Sequence, residues 1–161
     1  EFLRSLTNEF FQRGISIWME TCGYFNWNST KDILFKIDHL LFDIKCMDED
    51  LHRQVTGVSN QLILENCCKA ALEGIPLTIR IPLIKEVNCN PENLIATAQF
   101  VTNNVPGGRI ELLPYHDFGK EKYQAIGIWD HFKTFTTPTK YEIAIAKQLL
   151  IDHGARIVEY K

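Results

Sequence analysis

The stretch Arg109-Ile-Glu-Leu-Leu-Pro-Tyr-His-Asp-Phe-Gly119 predicts a short buried strand that ends at Pro114 and leads into a polar turn. The segment Tyr115–Asp117 follows the strand, and Gly119 closes the turn. In α/β barrels the loops at the C-terminal ends of the strands line the binding pocket. This stretch therefore predicts one wall of a pocket.

Three earlier apolar segments end in the same way, on polar side chains. These segments and their terminal residues are Ile15–Thr21 with Glu20 and Thr21, His39–Lys45 with Asp43 and Lys45, and Leu77–Pro82 with Arg80. Parallel strands deliver their C-terminal ends to one edge of a sheet, so we expect these groups to share one rim. Asp43 and Lys45 are two residues apart on one strand and should point to the same face.

The order of the elements predicts an α/β fold. Helices are expected at Glu1–Arg13, Lys31–Ile37, Met47–Thr56, from a cap at Ser59 or Asn60 to Leu72, from Asn90 to about Thr102, and from a capping box at Thr139–Glu142 to Gly154, with a loop over Lys120–Phe135 and a terminal strand Ala155–Tyr160. Strands that alternate with helices indicate a parallel sheet. Because five strands are too few to close a barrel that needs about eight, we predict a partial (β/α) TIM-like barrel. It forms an open arc with outer helices, and residues 1–161 form a single domain.

Composition excludes several classes of function. Of the 161 residues 45% are apolar and 23% charged, and the net charge of −3 gives no basic surface for nucleic acid or a membrane. The five cysteines are an odd number without a C-x-x-C pair, which favours free thiols over disulfides or a metal site. The nucleotide-binding motifs G-x-G-x-x-G and G-x-x-x-x-G-K-[ST] and the esterase motif G-x-S-x-G are all absent.

The polar groups at the strand ends have more than one interpretation. Asp43 and Lys45 form either a structural ion pair or part of a ligand site. Glu20 and Thr21 suit a cation, and Arg80 offers a fork of donors to a carboxylate or phosphate. His116, in the turn after the fourth strand, is able to stack on a ligand or to be satisfied locally. Together these residues predict a binding pocket.

Five motifs in series carry a resemblance to a known family. They are Met19-Glu-Thr-Cys-Gly-Tyr24, Leu41-Phe-Asp-Ile-Lys-Cys-Met-Asp48, His52 with Thr56-Gly-Val-Ser-Asn60, Ile79-Arg-Ile-Pro82, and Ile110-Glu-Leu-Leu-Pro-Tyr-His-Asp-Phe-Gly-Lys120. Their order and spacing resemble the glycyl-radical-enzyme activating enzymes, radical S-adenosylmethionine proteins of the pyruvate formate-lyase activating type. The resemblance extends from Glu1 to the C-terminus.

The resemblance implies an oxidoreductase. In that family a [4Fe–4S] cluster reduces S-adenosylmethionine to a 5′-deoxyadenosyl radical, which removes a hydrogen atom from a glycine of the partner enzyme. The implied roles are Asp43, Lys45 and Arg80 at the methionine end of S-adenosylmethionine, His116 near the ribose and adenine, Pro82 and Leu113 against the base, and Glu20, Thr21 and Asp43 at a monovalent cation.

Two departures from the family pattern qualify this expectation. The cysteine triplet C-x-x-x-C-x-x-C and the Gly-Gly-Glu-Pro segment are absent, so we expect the chain to be the C-terminal part of a longer protein. We predict that this chain contains no iron–sulfur ligands or catalytic residues of its own and is inactive alone. Lys85-Glu86 stands where the family usually has Pro-Gly, so that loop is expected to differ.

The resemblance also implies partners and a location. The expected partner is a glycyl radical enzyme such as pyruvate formate-lyase or a relative, and the expected electron donor is reduced flavodoxin or a similar protein, in the cytoplasm. No nucleic acid or membrane is expected. The strand Ile15–Thr21 should form a bare sheet edge, which predicts self-association or a cover from the N-terminal helix.

A different enzyme class competes with this interpretation. A Schiff-base aldolase or lyase of barrel type would use Lys45 as its nucleophile at a strand end. Such a lysine needs a lowered pKa, whereas a carboxylate at Asp43 favours the charged ammonium. A non-catalytic binding module that keeps the half-barrel is a third possibility.

Overall fold

The sheet consists of five parallel strands that lie side by side in chain order. A computed structural model describes residues 1–159. The strands are β1 (Trp18–Thr21), β2 (His39–Asp43), β3 (Leu77–Leu83), β4 (Arg109–Pro114) and β5 (Arg156–Ile157). Every neighbouring pair is parallel. The predicted open arc of a partial (β/α) barrel is confirmed.

Helices connect the strands. They are α1 (Phe2–Gln12), α2 (Trp27–Leu34), α3 (Glu49–Thr56), α4 (Gln61–Leu72), α5 (Pro91–Asn104), α6 (Lys120–Ala125) and α7 (Lys140–Asp152), with a 3₁₀ turn at Trp129–His131. Among residues 1–159, no helix combines the length and the apolar character that crossing a bilayer requires.

Local capping fixes where several helices begin. Asn90 accepts a hydrogen bond from the Asn93 amide and Pro91 follows it, and Thr139 forms the predicted capping box with Glu142. The start of α2 was predicted wrongly at Lys31. It begins at Trp27 instead, because the side chain of the preceding Asn26 accepts from the Ser29 amide.

Three further boundaries differ from the prediction. β1 begins only at Trp18, because the amide of Ile17 donates to the Asp38 carboxylate instead of joining the ladder. The segment predicted as a loop over Lys120–Phe135 contains α6 and the 3₁₀ turn. The terminal strand comprises only Arg156–Ile157, and Tyr160 lies outside the described residues.

The two faces of the sheet have different chemistry. One face packs against α2, α4, α5 and α7 and holds the hydrophobic core, in which Phe42, Leu40, Ile79, Ile81 and Ile110 are fully buried. Side chains alternate along each strand, so the residues between them point to the opposite, inner face. That inner face carries the polar groups of the site, which are Glu20, Asp43, Thr78, Arg80 and Glu111.

Among residues 1–159, β1 pairs only with β2 and is therefore an edge strand of the sheet. Helix α1 contacts α2, where the Arg4 guanidinium binds Asp32 at 2.7 Å. Self-association through the β1 edge remains a prediction.

Candidate functional site

The register of the sheet aligns three charged residues across its middle strands. Asp43 on β2 is paired with Arg80 on β3, and Arg80 is paired with Glu111 on β4. Residues paired in a parallel sheet point to the same face, so these three side chains form a row across the inner face. Glu20 on β1 extends the row from the other side, where its carboxylate reaches Arg80.

Arg80 lies between two carboxylates that differ in exposure. Its Nη1 is 2.8 Å from Glu20 Oε2, and its Nε is 3.1 Å from Glu111 Oε2. The side chain of Glu20 is 59% exposed and that of Glu111 is 8% exposed. The Nε contact is a close ion pair without the alignment of a hydrogen bond. The guanidinium of Arg80 is therefore held by the buried carboxylate of Glu111 at Nε and by the exposed carboxylate of Glu20 at Nη1.

Asp43 has one satisfied oxygen and one unsatisfied oxygen. Its Oδ2 accepts from Lys45 Nζ at 3.2 Å, while its buried Oδ1 has no hydrogen-bond partner. Burial raises the pKa of Asp43 above its usual range, and the charge of Lys45 opposes that shift. A buried carboxylate oxygen without a donor is costly. Asp43 is therefore suited to receive a ligand's ammonium group or a cation.

Three buried asparagines fix the backbone that carries Lys45. Asn88 Nδ2 donates to the carbonyls of Lys45 and Pro82, at 2.6 and 2.7 Å, and so joins the exits of β2 and β3. Asn60 donates to the carbonyls of Cys46 and Met47. Asn93 Oδ1 in turn accepts from the Met47 amide at 2.8 Å. The loop after β2 is thus held rigidly, which a preorganised site requires.

A second anchor fixes the loop after β1. Asn66, which is fully buried on α4, donates to the carbonyls of Gly23 and Phe25, both at 2.8 Å. Gly23 has a φ of +77°, and a Cβ at this position would lie 2.2 Å from Cζ of Phe42. Only glycine allows the loop to pass so close to the core.

A cavity of about 200 Å³ adjoins the ion pair of Asp43 and Lys45. Cys22, Tyr24 and His52 contribute to its walls. This volume is below the roughly 300–1,000 Å³ of pockets that enclose a whole drug-sized ligand. The cavity is therefore large enough for only one end of such a ligand.

A larger cavity of about 300 Å³ lies at the N-terminal ends of the strands, between the loops that enter β3 and β4. His39 and Arg109 are its ring and charged side chains, and the His39 ring is already bonded to the Thr78 hydroxyl at 2.9 Å. Binding sites in this type of fold form at the C-terminal ends of the strands. We therefore take the C-terminal ends of β2 and β3, which carry Asp43, Lys45 and Arg80, as the candidate functional site.

The other predicted site residues occupy different positions. Pro82 and Leu113 are paired in register on the inner face, toward the C-terminal edge. The Thr21 side chain alternates to the helix-covered face, and its hydroxyl accepts from the Gly23 amide at 3.1 Å, so it does not join Glu20 and Asp43. His116 is exposed in the loop after β4, with its ring 4.2 Å from that of Phe118.

The thiols do not form a metal centre. No group of three or more histidine, cysteine, aspartate or glutamate side chains in the part of the chain that the structure describes is arranged to hold a metal ion. Burial raises the pKa of Cys46 to about 11, which disfavours the thiolate that a metal requires. Within residues 1–159, the side chains therefore do not fit an iron–sulfur cluster.

Glu111 is the charged residue of the site that sequence reasoning missed. It lies inside the apolar run that predicts β4, between Ile110 and Leu112 of the core face. A single charge within a buried strand is the signal that was available, since a buried carboxylate needs a cationic partner. Its partner, Arg80, is set by the register between β3 and β4.

Comparison with known proteins identifies relatives of this chain, although no protein-family model matches it. It is 38% identical over 124 residues to the isethionate sulfite-lyase activating enzyme of Nitratidesulfovibrio vulgaris. The aligned region covers 76% of this chain and 40% of the relative. It is also 38% identical over 129 residues to the trans-4-hydroxy-L-proline dehydratase activating enzyme of Clostridioides difficile, covering 78% of this chain and 42% of the relative. The homologues of this chain are glycyl-radical-enzyme activating enzymes.

A solved structure that is also named as an activating enzyme matches the fold of this chain. A domain of pyruvate-formate lyase-activating enzyme from Bacteroides vulgatus matches with a TM-score of 0.81 and 28% identity, covering 99% of this chain and 90% of that chain. The resemblance predicted from the five motifs is confirmed. The chain spans about two fifths of the length of the two curated relatives.

Proposed function

We propose that this chain is part of a radical S-adenosylmethionine activating enzyme, whose activity generates a glycyl radical on a partner enzyme. The observation that carries the proposal is the cluster of Asp43, Lys45 and Arg80 at the C-terminal ends of β2 and β3 in a homologue of such enzymes. Asp43 offers an acceptor with an unsatisfied oxygen, and Lys45 and Arg80 offer donors. The methionine end of the cofactor carries an ammonium and a carboxylate, which this set complements.

The chain's own residues would bind and orient S-adenosylmethionine. Asp43 receives the ammonium or a cation, while Lys45 and Arg80 face the carboxylate. Pro82 and Leu113 supply an apolar surface for the adenine, and His116, in the exposed loop after β4, would lie near the ribose and adenine. When bound, S-adenosylmethionine together with a [4Fe–4S] cluster supplies the radical chemistry. We propose that the cluster ligands lie outside this chain.

A monovalent cation beside the cofactor, held by Glu20, Thr21 and Asp43, is a finer part of the proposal. Asp43 Oδ1 supports it best, because that oxygen is buried and without a partner. Glu20 is bound to Arg80, but its exposure makes this ion pair easy to exchange. The Thr21 hydroxyl faces the Gly23 amide instead, which weakens its part in the cation site.

We propose a glycyl radical enzyme as the partner and reduced flavodoxin or a similar protein as the electron donor, in the cytoplasm. The relatives are named as activators of lyases and dehydratases, which supports the partner class. The Schiff-base alternative at Lys45 receives no support from these relatives. Lys45 Nζ is also engaged in an ion pair with the Asp43 carboxylate at 3.2 Å.

The test uses the full-length protein that contains this chain, reconstituted anaerobically with iron and sulfide. It is mixed with S-adenosylmethionine, a reductant and a candidate glycyl radical enzyme, and the glycyl radical is measured by electron paramagnetic resonance. We expect a signal that depends on S-adenosylmethionine and is lost in Asp43→Ala. The exposed variant Glu73→Gln is the control and should retain the signal. If borohydride instead trapped a carbonyl substrate on Lys45, the proposal would be wrong.

A further inference from the structure

Glu111 is a buried carboxylate whose position the core does not explain. The residue as a whole is 6% exposed and its side chain points to the inner face, whereas Ile110 and Leu112 on either side pack into the core. Burying a carboxylate is costly unless a cation and hydrogen bonds compensate it. A leucine at this position would cost less, so the charge is expected to have a specific task.

The geometry identifies Arg80 as the group on which Glu111 acts. The two residues are paired in register on adjacent strands, and Arg80 Nε is 3.1 Å from Glu111 Oε2. Both are largely buried, with side-chain exposures of 16% and 8%. By contrast Glu20, which binds Nη1, is 59% exposed and can be replaced by a ligand carboxylate. Glu111 would still hold the guanidinium after that exchange.

Orientation matters because the guanidinium is a planar fork. It binds a carboxylate well only when its N–H groups point along the acceptor oxygens. The close ion pair with Glu111 at Nε holds the guanidinium from its buried side, and Nη1 becomes available when a ligand carboxylate displaces Glu20. A rigid strand supplies that partner more accurately than a loop does.

We propose that Glu111 is a positioning residue, which orients Arg80 toward the carboxylate of S-adenosylmethionine. This inference rests on the proposed function. Glu111 acts through Arg80 and makes no contact with the reacting atoms. Its removal should weaken cofactor binding only as long as Arg80 is present.

A double-mutant cycle in the full-length, cluster-loaded protein tests this role. S-adenosylmethionine is titrated calorimetrically into the wild type, Glu111→Gln, Arg80→Lys, the double variant, and the exposed control Glu73→Gln. We expect Glu111→Gln to raise Kd about tenfold, as supporting groups around a binding site commonly do. The double variant should bind no more weakly than Arg80→Lys alone, and Glu73→Gln should match the wild type.

The outcomes separate this role from the proposed function. A wild type that binds S-adenosylmethionine while Glu111→Gln binds equally well overturns the role of Glu111 alone. Additive effects of the two substitutions overturn it as well, since a merely structural loss would not depend on Arg80. A wild type that binds no S-adenosylmethionine overturns the proposed function and this role together. If Glu111→Gln does not fold, Glu111→Asp replaces it in the cycle, with the same expectation.

Discussion

Replacing Gly23 with alanine should destabilise the chain far more than the same change at Gly74. Both glycines have left-handed backbones, with φ of +77° and +73°. A Cβ at Gly74 meets nothing within 4 Å, whereas a Cβ at Gly23 would lie 2.2 Å from Phe42 Cζ and 3.1 Å from Ile63 Cγ2. Phe42 is fully buried, so it has no space into which to move.

The magnitude follows from these two terms. The left-handed conformation costs an alanine about 1–2 kcal/mol at either site, and overpacking adds about 1–3 kcal/mol at Gly23 alone. We therefore expect Gly23→Ala to lower the free energy of unfolding by roughly 2–5 kcal/mol and Gly74→Ala by about 1–2 kcal/mol. Urea unfolding of the 161-residue chain measures both values. Equal losses at the two sites would refute the reasoning, because they would show that the loop after β1 is not packed against Phe42.

Three further changes test the site and its surroundings in urea unfolding. Asn88→Ala should cost about 3 kcal/mol, because it removes three hydrogen bonds to partly buried backbone groups, whereas the exposed Asn104→Ala should change the free energy of unfolding little. The pKa of Glu142 is lowered to about 2, chiefly by its hydrogen bond to Lys85. The carboxylate therefore stabilises the fold above pH 4.5, and this stabilisation is lost as the pH falls toward 2. Glu142→Gln should remove this dependence of stability on pH, and a variant with the acid profile of the wild type would contradict the argument. The pKa of Asp43 is raised by burial, so the free energy of unfolding should fall as the pH rises through that raised pKa. Asp43→Asn should flatten this fall. A wild type whose stability rises with pH relative to Asp43→Asn would contradict the prediction.

Features of the fold that depend on local sequence could be predicted. The capping box of Thr139 and Glu142 and the Asn90-Pro91 start are both decided within four residues, and both form as expected. Helix α6 was missed because it has only six residues and no side-chain cap at Gly119. A segment so short gives little periodicity to detect.

The site was predictable where it depends on one strand and unpredictable where it depends on two. The period of two along β2 places Asp43 and Lys45 together, and their side chains do form an ion pair. The same period of two places the side chain of Thr21 on the face opposite to that of Glu20, so the part of Thr21 in a cation site stays a prediction. The pairing of Arg80 with Glu111 needs the register between β3 and β4, which no local pattern contains.

The most direct test of the account is where S-adenosylmethionine protects the sheet. Hydrogen–deuterium exchange of the full-length, cluster-loaded protein is measured with and without S-adenosylmethionine. The account predicts slower exchange in peptides that cover residues 41–47, 78–84 and 111–116, at the C-terminal ends of β2, β3 and β4. It would be contradicted by protection confined to residues 71–77 and 105–109 at the opposite edge, or by no protection at a saturating concentration.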